Sequence, residues 1–472
     1  MGRKDVINLL LESGMNINSS PAQDTHLCTV TVLLGIAEIR QNDMTPRGAL
    51  AVAVDHDDID MATFLLGKGA DPNSWHHSAM YIALRRGCVA MIDLLLGYGA
   101  NVSAGNGKCF GYAVWGGERA LSRLLQQPMS AAQRYEGVNK ALQTVLNLAD
   151  LGISLWLLDK QGTDANFTGG LFGSPLQAAL AHTYPTDATG LYEQRSRLVD
   201  VLLARGANPN PPPTETEIDE ELVSRGLRHK ITTFPSPLVL AIRAATVDRP
   251  SDSTCIPRRL LAAGADPEGM EKDDMETPLQ TAADDPAVIE LLLAAGADVN
   301  AIRPNTKSGT ALHAAALSQN LESIKILLAS GASVHASAGK YGSVVQCAAK
   351  IGNLGLVDNH QLIYAQSVRA MELLVAAGAD EHAGGGRYGS ALQVAAKLGN
   401  LDGMMWLIKR GANVYVEGGK WGNIHNAAVM NRRWGVVSWL ERIYGREVWE
   451  ALDRKMFGET GACRSGEVER CT

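Results

Sequence analysis

The sequence predicts an all-α protein built as a solenoid of stacked helix pairs. The first observation is an internal repeat, GSVVQCAAKIGN (342–353) and GSALQVAAKLGN (389–400), with looser copies GTALHAAALSQN (309–320) and GNIHNAAVMN (422–431). The second is an apolar run ending in Gly-Ala that follows the copies, as in LLASGASV (327–334). A chain made of copies of one small unit stacks them, so that each buries its apolar face against its neighbours.

Composition agrees with this fold class. Of the 472 residues, 46% are hydrophobic but only 5% are aromatic, so the apolar content is mostly Ala, Leu and Val, as thin helix layers require. The net charge of −7 and the pI of about 5.9 argue against a general affinity for nucleic acid or anionic membranes, which needs a basic face. We expect a monomer that contacts neither nucleic acid nor membrane.

The start and end of each helix pair can be located from capping residues. A hydroxyl followed by proline can cap a first helix at Ser174-Pro175, Ser236-Pro237 and Thr277-Pro278. Glycine can supply the left-handed end of a second helix at Gly206, Gly264, Gly296 and Gly378. The separation of 19 residues between first-helix residue and glycine recurs in Leu50 to Gly69, Met80 to Gly99, Leu312 to Gly331 and Leu392 to Gly411. In the last copy, Ile424 is aligned with this leucine and His425 lies one residue past it.

These residues carry a family resemblance. Thr310-Ala311-Leu312-His313 with Ala315, then Leu327-Leu328 and Gly331-Ala332, resembles the ankyrin repeat, whose start signature is Thr-Pro-Leu-His-x-Ala. The Gly-x-Tyr-Gly-Ser-Ala-Leu-Gln copy is similar to a variant common in fungal ankyrin arrays. The resemblance extends from about Lys4 to about Tyr444. It implies an ankyrin-repeat solenoid of about eleven units, some degenerate, with short β-hairpin or loop fingers between them.

The chain is expected to divide into five segments. Residues 1–44 are a partial first repeat plus an N-terminal cap: either the sequence is truncated within a repeat, or the apolar run 26–39 folds back and covers the open end. Repeats fill 45–126, a diverged repeat and a Gly-rich joint fill 127–173, and further repeats with insertions fill 174–445. Residues 446–472 are a C-terminal tail whose Val448, Trp449 and Leu452 can cap the last stack, because a terminal repeat otherwise leaves its stacking face in water.

Insertions are expected at one point of the unit. The leucine-to-glycine separation grows to 30 (Leu176 to Gly206), 26 (Leu238 to Gly264) and, from Val345 to Gly378, 33. The extra residues fall at the turn between the two helices, so they should project from one edge of the array. The linker 208–235, which holds the acidic cluster 215–221, is either a solvated loop with one helical turn or a motif for a partner or for phosphorylation.

The candidate binding residues form a basic-aromatic-glycine triplet that occurs three times. Tyr388 and Trp421 are one repeat of 33 residues apart, and Tyr341 precedes Tyr388 by one repeat with its 14-residue insertion, so all three share one position in the fingers. Layers of helices would space them about 10 Å apart. Since Tyr, Trp and Arg supply most hot-spot energy, the row suits recognition of another protein. Alternatively, the aromatic residues brace neighbouring fingers. The candidate partner-binding residues are Lys340, Tyr341, Arg387, Tyr388, Lys420 and Trp421.

We expect no catalytic, cofactor or metal site. Gly105–Cys109 lacks the first glycine and the Ser or Thr of a phosphate loop, and His76-His77 lacks a third zinc ligand. His313 is expected to bond to the backbone of a neighbouring loop. Asp284-Asp285 is expected to be solvated. An enzyme hidden in 127–173 is disfavoured, because that segment has no histidine and few carboxylates.

The seven cysteines are scattered without a C-x-x-C, which indicates reduced thiols in an intracellular protein. The N-terminus lacks the apolar length of a signal peptide, so we expect a protein of the cytosol or nucleus. The predicted function is a non-catalytic scaffold or adaptor that binds another protein. The alternative is a nuclear transcriptional coregulator acting through a bound DNA-binding factor, which nuclear localisation and co-purification with such a factor would distinguish.

Overall fold

The computed structural model describes most of the chain: residues 3–12, 17–18, 48–102, 107–160, 163–170, 172–181, 191–212, 234–248, 250–269, 275–306, 308–350 and 360–457. It divides into two units, Met1–Phe234 (unit 1) and Pro235–Thr472 (unit 2). The apolar run 26–39, the acidic cluster 215–221 and the residues after 457, on which the sequence made predictions, lie outside the described residues. The boundary between the units falls at the end of the predicted linker 208–235; the five predicted segments stay predictions.

The described residues contain twenty-four helices. Those of unit 1 are α1 (Arg3–Glu12), α2 (Ala49–Asp55), α3 (Ile59–Gly67), α4 (Ser74–Arg86), α5 (Val89–Gly97), α6 (Lys108–Trp115), α7 (Gly117–Leu125), α8 (Ala131–Asn147), α9 (Leu151–Lys160), α10 (Pro175–Leu180) and α11 (Leu191–Ala204). Those of unit 2 are α12 (Pro237–Asp248), α13 (Cys255–Ala262), α14 (Pro278–Thr281), α15 (Pro286–Ala294), α16 (Ala311–Ser318), α17 (Leu321–Ala329), α18 (Val344–Ala348), α19 (His360–Ala376), α20 (Ala391–Leu398), α21 (Leu401–Lys409), α22 (Ile424–Val429), α23 (Trp434–Tyr444) and α24 (Arg446–Phe457).

Unit 1 is a stack of helix pairs in two layers. The first helices α2, α4, α6, α8 and α10 pack on one another in that order, and among the second helices α3 packs on α5, α5 on α7 and α9 on α11. Because α8 packs on both α6 and α10, the layer continues through the diverged stretch 131–160. The core is apolar, with Leu95, Leu121 and Leu142 fully buried.

The second full helix pair begins earlier than its repeat copy suggests. The copy was placed at 78–103, but α4 already begins at Ser74, only seven residues after α3 ends at Gly67. In the turn between them, Asp71 Oδ1 accepts from the amide of Asn73 (2.9 Å). The chain therefore passes from one pair to the next here without room for a hairpin.

Unit 2 repeats the two-layer arrangement. The first helices α12, α14, α16, α18, α20 and α22 pack in sequence, and so do the second helices α15, α17, α19 and α21. With α1 and α24 left aside, the helices of the described residues form eleven pairs, as the repeat count predicted.

Two of the insertions are partly helical rather than looped. The second helices α11 and α19 have 14 and 17 residues, whereas α17 and α21 have 9. The added residues extend the helices at their N-terminal ends, where new turns continue an existing hydrogen-bond ladder at little nucleation cost. The expectation that all extra residues lie in the turn is therefore wrong for α11 and α19.

The capping residues act as predicted. The hydroxyls of Ser174 and Thr277 accept from the amides of Gln177 and Gln280 (3.2 and 3.1 Å), and each glutamine side chain accepts in return from the cap residue's amide. Ser236 accepts more weakly from Val239 (3.4 Å). The predicted left-handed glycines have φ between 79° and 96°, at Gly206, Gly264, Gly296 and Gly378.

The last helix pair is covered by α24, as the apolar residues after Arg446 predicted. Trp449 is completely buried, and its ring lies flat on that of His425, with 5.5 Å between centroids and 6° between planes. The alignment of Ile424 with the repeat leucine is wrong. Asn423 caps α22 as Ser390 caps α20, so His425 takes the place of Leu392. None of the described helices has the length and apolar character to span a membrane.

Candidate functional site

Three consecutive repeats of unit 2 carry hairpin fingers that touch one another. Each finger is closed by one antiparallel bridge, and the three fingers, which we call the finger row, are 338–342, 385–389 and 418–422. The amide of Arg387 donates to the carbonyl of Lys340, and the amide of Lys420 donates to the carbonyl of Arg387, both at 3.1 Å. Neighbouring fingers are therefore joined backbone to backbone.

Glycine is required where the fingers meet. Gly386 and Gly419 have φ of 61° and 64°, and a Cβ on either would collide with the backbone of the preceding finger, at Tyr341 and Tyr388 respectively. The glycines directly before the second and third triplets thus permit the close approach that the finger-to-finger hydrogen bonds need.

The aromatic residues of the triplet stack on one another inside the row. The ring centroids of Tyr341 and Tyr388 are 5.1 Å apart, and those of Tyr388 and Trp421 are 5.0 Å apart with the rings nearly parallel at 4°. All three are buried, with 5%, 4% and 9% of their surface exposed. The expected spacing of about 10 Å is therefore wrong, because the fingers are in direct backbone contact while the 10 Å estimate refers to helix axes. Their burial and mutual contact favour the alternative that the rings brace neighbouring fingers.

The basic residues of the triplet lie at the surface of this stack. Arg387 and Lys420 are exposed and Lys340 is half-buried. A fourth cation comes from α20: Lys397 Nζ lies 4.3 Å from the ring centroid of Tyr388 and 4.9 Å from that of Trp421. The ammonium groups of Lys340 and Lys420 lie 5.7 and 5.4 Å from the rings of Tyr388 and Trp421. These distances are typical of cation–π contacts.

The tyrosine pKa values locate the positive potential. Burial would raise the pKa of the Tyr388 hydroxyl, but hydrogen bonding to Lys340 and the charge of Lys397 outweigh burial and lower it. For Tyr341, burial raises the pKa to about 12. The cations therefore concentrate around Tyr388, at the centre of the row.

A buried side chain from each first helix holds the finger of the next repeat. Gln346 Nε2 donates to the carbonyls of Gly389 (2.7 Å) and Gly385 (3.2 Å), and Gln393 Nε2 donates to those of Gly418 (2.9 Å) and Gly422 (3.1 Å). Both glutamines are the third residue of their helix and also complete a capping box. No role was predicted for these glutamines, although the pattern Ser-x-x-Gln after a finger marks both of them in the sequence.

His313 does the same work as the glutamines in its own repeat. Its Nε2 donates to the carbonyl of Gly342 (3.1 Å), and its Nδ1 therefore accepts from the hydroxyl of Thr310 (2.7 Å). Burial lowers the pKa of His313, which favours this neutral tautomer. The prediction that His313 bonds to the backbone of a neighbouring loop is confirmed.

The remaining candidate sites have structural roles or lie outside the description. Asp285 is not merely solvated, because it caps α15 by accepting from the amides of Ala287 and Val288 (3.1 and 3.2 Å). Cys109 is buried, which raises its pKa to about 12. The side chains of His76-His77 and the first residues of Gly105–Cys109 lie outside the description. Within the described part of the chain, no group of His, Cys, Asp and Glu is arranged to hold a metal ion.

Comparison with known proteins identifies the repeats. The family model for ankyrin repeats matches residues 20–106 and 241–338, in three copies. No curated protein matches the chain. Ankyrin repeats are generally protein–protein interaction modules and are typically non-catalytic. The helix pairs after residue 338 continue the packing of the matched pairs. The chain therefore contains ankyrin repeats in both units, and its helix pairs form an ankyrin-type solenoid.

Proposed function

We propose that the chain is a non-catalytic scaffold or adaptor whose docking surface is the finger row of unit 2. The observation that carries the proposal is that the aromatic residues of the triplet are buried while its basic residues lie at the surface. The rings of Tyr341, Tyr388 and Trp421 face one another and are buried, whereas Arg387 and Lys420 are exposed and Lys340 is half-buried at the surface of the stack. In this proposal the rings fix the backbone and the cations contact the partner.

Rigidity of the row favours this role. The backbone of each finger is held by hydrogen bonds to its neighbour and by a buried Gln or His from the preceding repeat. A surface that is already ordered before binding loses less conformational entropy on association, so more of its contact energy appears as affinity.

The proposal is tested by affinity capture of partners from the native cell, followed by mass spectrometry. The bait is the full chain, either wild type or with Tyr341→Ser, Tyr388→Ser and Trp421→Ser, which removes the braces. The matched control changes three exposed aromatic residues outside the row, Tyr98→Ser, Trp115→Ser and Trp434→Ser. Circular dichroism checks that the helices of all variants persist.

We expect a partner that wild type and control retain and that the finger-row variant loses. Equal retention by the two variants would contradict the proposal. The identity of the partner decides between the adaptor and the coregulator: a DNA-binding factor, captured together with a nuclear location of the chain, would support the nuclear role.

A further inference from the structure

We infer that the finger row binds an acidic, extended segment of its partner, whose carboxylates on one face pair with Lys340, Arg387 and Lys420. The inference rests on the proposed function and adds the chemistry of the partner to it.

The finger row is positively charged. The three finger segments 338–342, 385–389 and 418–422 contain three cations and no carboxylate; Glu417 directly precedes the third. The chain as a whole carries a net charge of −7, so the charge of this strip is opposite in sign to the net charge of the protein. A positive strip on an acidic protein attracts the anionic segments of other proteins and orients them as they approach.

Within the part of the chain that the structure describes, these cations also lack carboxylate partners. Among the described residues, no salt bridge includes Lys340, Arg387, Lys397 or Lys420. By contrast, Arg410 on α21 pairs with Glu381 at 2.7 Å. The charges of the row are thus available to a partner without first breaking an internal ion pair.

The spacing of the row fits an extended chain. Successive rings are 5.1 and 5.0 Å apart, and the backbones of Lys340, Arg387 and Lys420 are joined by hydrogen bonds, so the three cationic residues follow one another at a similar interval. Side chains on one face of an extended peptide repeat every two residues, at about 7 Å. The long Lys and Arg side chains can span the difference of about 2 Å between the two spacings, so carboxylates at alternate positions of such a peptide come within their reach.

The aromatic stack helps to order these cations. Ammonium groups at 5.4 and 5.7 Å from ring centroids are partly held before any partner arrives. Lys397 lies over the same rings at 4.3 and 4.9 Å and adds a fourth charge behind the row. The lowered pKa of Tyr388 reports the same positive potential.

The test measures binding of a fluorescein-labelled peptide of alternating glutamate and serine to the full chain by fluorescence anisotropy. We expect wild type to bind it at least tenfold more tightly than the matched glutamine–serine peptide, and the affinity to fall with added salt. The variant Lys340→Gln, Arg387→Gln, Lys420→Gln should lose at least tenfold of that affinity. Arg387→Lys, which keeps the charge, should bind nearly as wild type does.

A matched control removes three charges from the second helices of the same repeats. Arg369→Gln, Lys409→Gln and Arg442→Gln lie on α19, α21 and α23, are exposed, and give the chain the same net charge as the finger variant. Their affinity for the glutamate peptide should stay within about twofold of wild type. An equal loss in both triple variants would mean that the attraction is general rather than local, and would overturn the inference.

Two further outcomes would overturn it. One is no preference for the glutamate peptide, and the other is full displacement of that peptide by millimolar inorganic phosphate, which would indicate a site for a single anion. The affinity capture keeps the two proposals distinct. A partner lost by the aromatic variant but retained by the Lys/Arg-to-Gln variant would leave the docking surface intact and disprove the acidic segment. A partner retained by both variants would also disprove the proposal that the finger row is the docking surface.

Discussion

The first three helix pairs after α1 and the last three of unit 2 share one fold but join their repeats differently. In unit 1, the first helices α2, α4 and α6 begin after Gly48, Asn73 and Gly107, none of which caps with its side chain. In unit 2, α18, α20 and α22 begin after Ser343, Ser390 and Asn423, each of which does. In these last pairs, a glutamine side chain from each of the capped helices α18 and α20 also donates a hydrogen bond to the next finger.

The difference shows that stacking of the helix pairs does not by itself decide whether a repeat forms a closed hairpin finger. Helix layers pack in both regions, but among their described residues bridged hairpins occur only in the second region, where a Gln or His of the preceding first helix donates to each glycine-rich finger. Both units share a simpler link, an asparagine that bridges to the turn of the next repeat. Substitutions at each link can show how much it contributes to the free energy of unfolding.

Removal of the last brace should have the largest effect. Trp421→Ala deletes a buried ring stacked on Tyr388, and we expect it to lower the free energy of unfolding of unit 2 by about 3–5 kcal/mol. The control is Trp115→Ala in unit 1, where 48% of the side chain is exposed, and its effect should be below about 1 kcal/mol. Urea unfolding followed by circular dichroism measures both, and hydrogen exchange assigns the loss to 385–422. Equal effects would show that the stack is not a brace.

The glutamine contacts should come next. Gln393→Ala leaves the carbonyls of Gly418 and Gly422 without their donor, which should cost about 1–3 kcal/mol. Gln133 offers a matched control, because it completes a capping box with Ser130 in unit 1, and its Nε2 bonds to no finger in the described structure. If Gln133→Ala destabilises the chain as much as Gln393→Ala, the cap accounts for the whole effect and the finger contact for none.

The asparagine link should be worth the same in both units. Asn73 donates to the carbonyl of Gly99 (3.0 Å) and accepts from Asn101 (2.7 Å); Asn300 donates to Gly331 (3.1 Å) and accepts from Ser333 (2.7 Å). We expect Asn73→Ala and Asn300→Ala each to cost about 1 kcal/mol in urea unfolding. A clear inequality would mean that one region depends on this link more than the geometry implies.

The smallest expected effect is a pH dependence confined to unit 2. Burial lowers the pKa of His313 below its usual 6.5 in the folded chain, so the unfolded chain binds the proton more readily. The stabilisation by neutral His313 is therefore fully present above about pH 6.5 and is lost as the pH falls below it. His313→Gln, which places the residue of the other repeats there, should reduce the fall in urea midpoint between pH 7.5 and 5.5. His335→Gln, at an exposed position, should leave that fall unchanged.

The starts and ends of helices could be predicted from the sequence, because they depend on single residues that recur at the same position of each repeat. The capped starts at Thr277 and Ser174 and the left-handed ends at Gly296 and Gly378 follow from backbone requirements that one residue satisfies. The early start of α4 at Ser74 could not be predicted from the copy pattern, because the repeat consensus places a finger where this chain continues a helix. The ring spacing of 5 Å depends on contact between fingers more than 30 residues apart, which repeat counting does not contain.

The position of Trp449 has a consequence for how this array can change in length. The first helix α22 has α20 as one neighbour in its layer, and the Trp449 ring covers its His425 where a following first helix would otherwise pack. Duplication of a unit after residue 445 would therefore have to displace a fully buried indole. Duplication of 389–421 in tandem would instead preserve both the cover and the register of glycine, basic residue and ring. Growth of this protein is thus more readily accommodated from within than at its end.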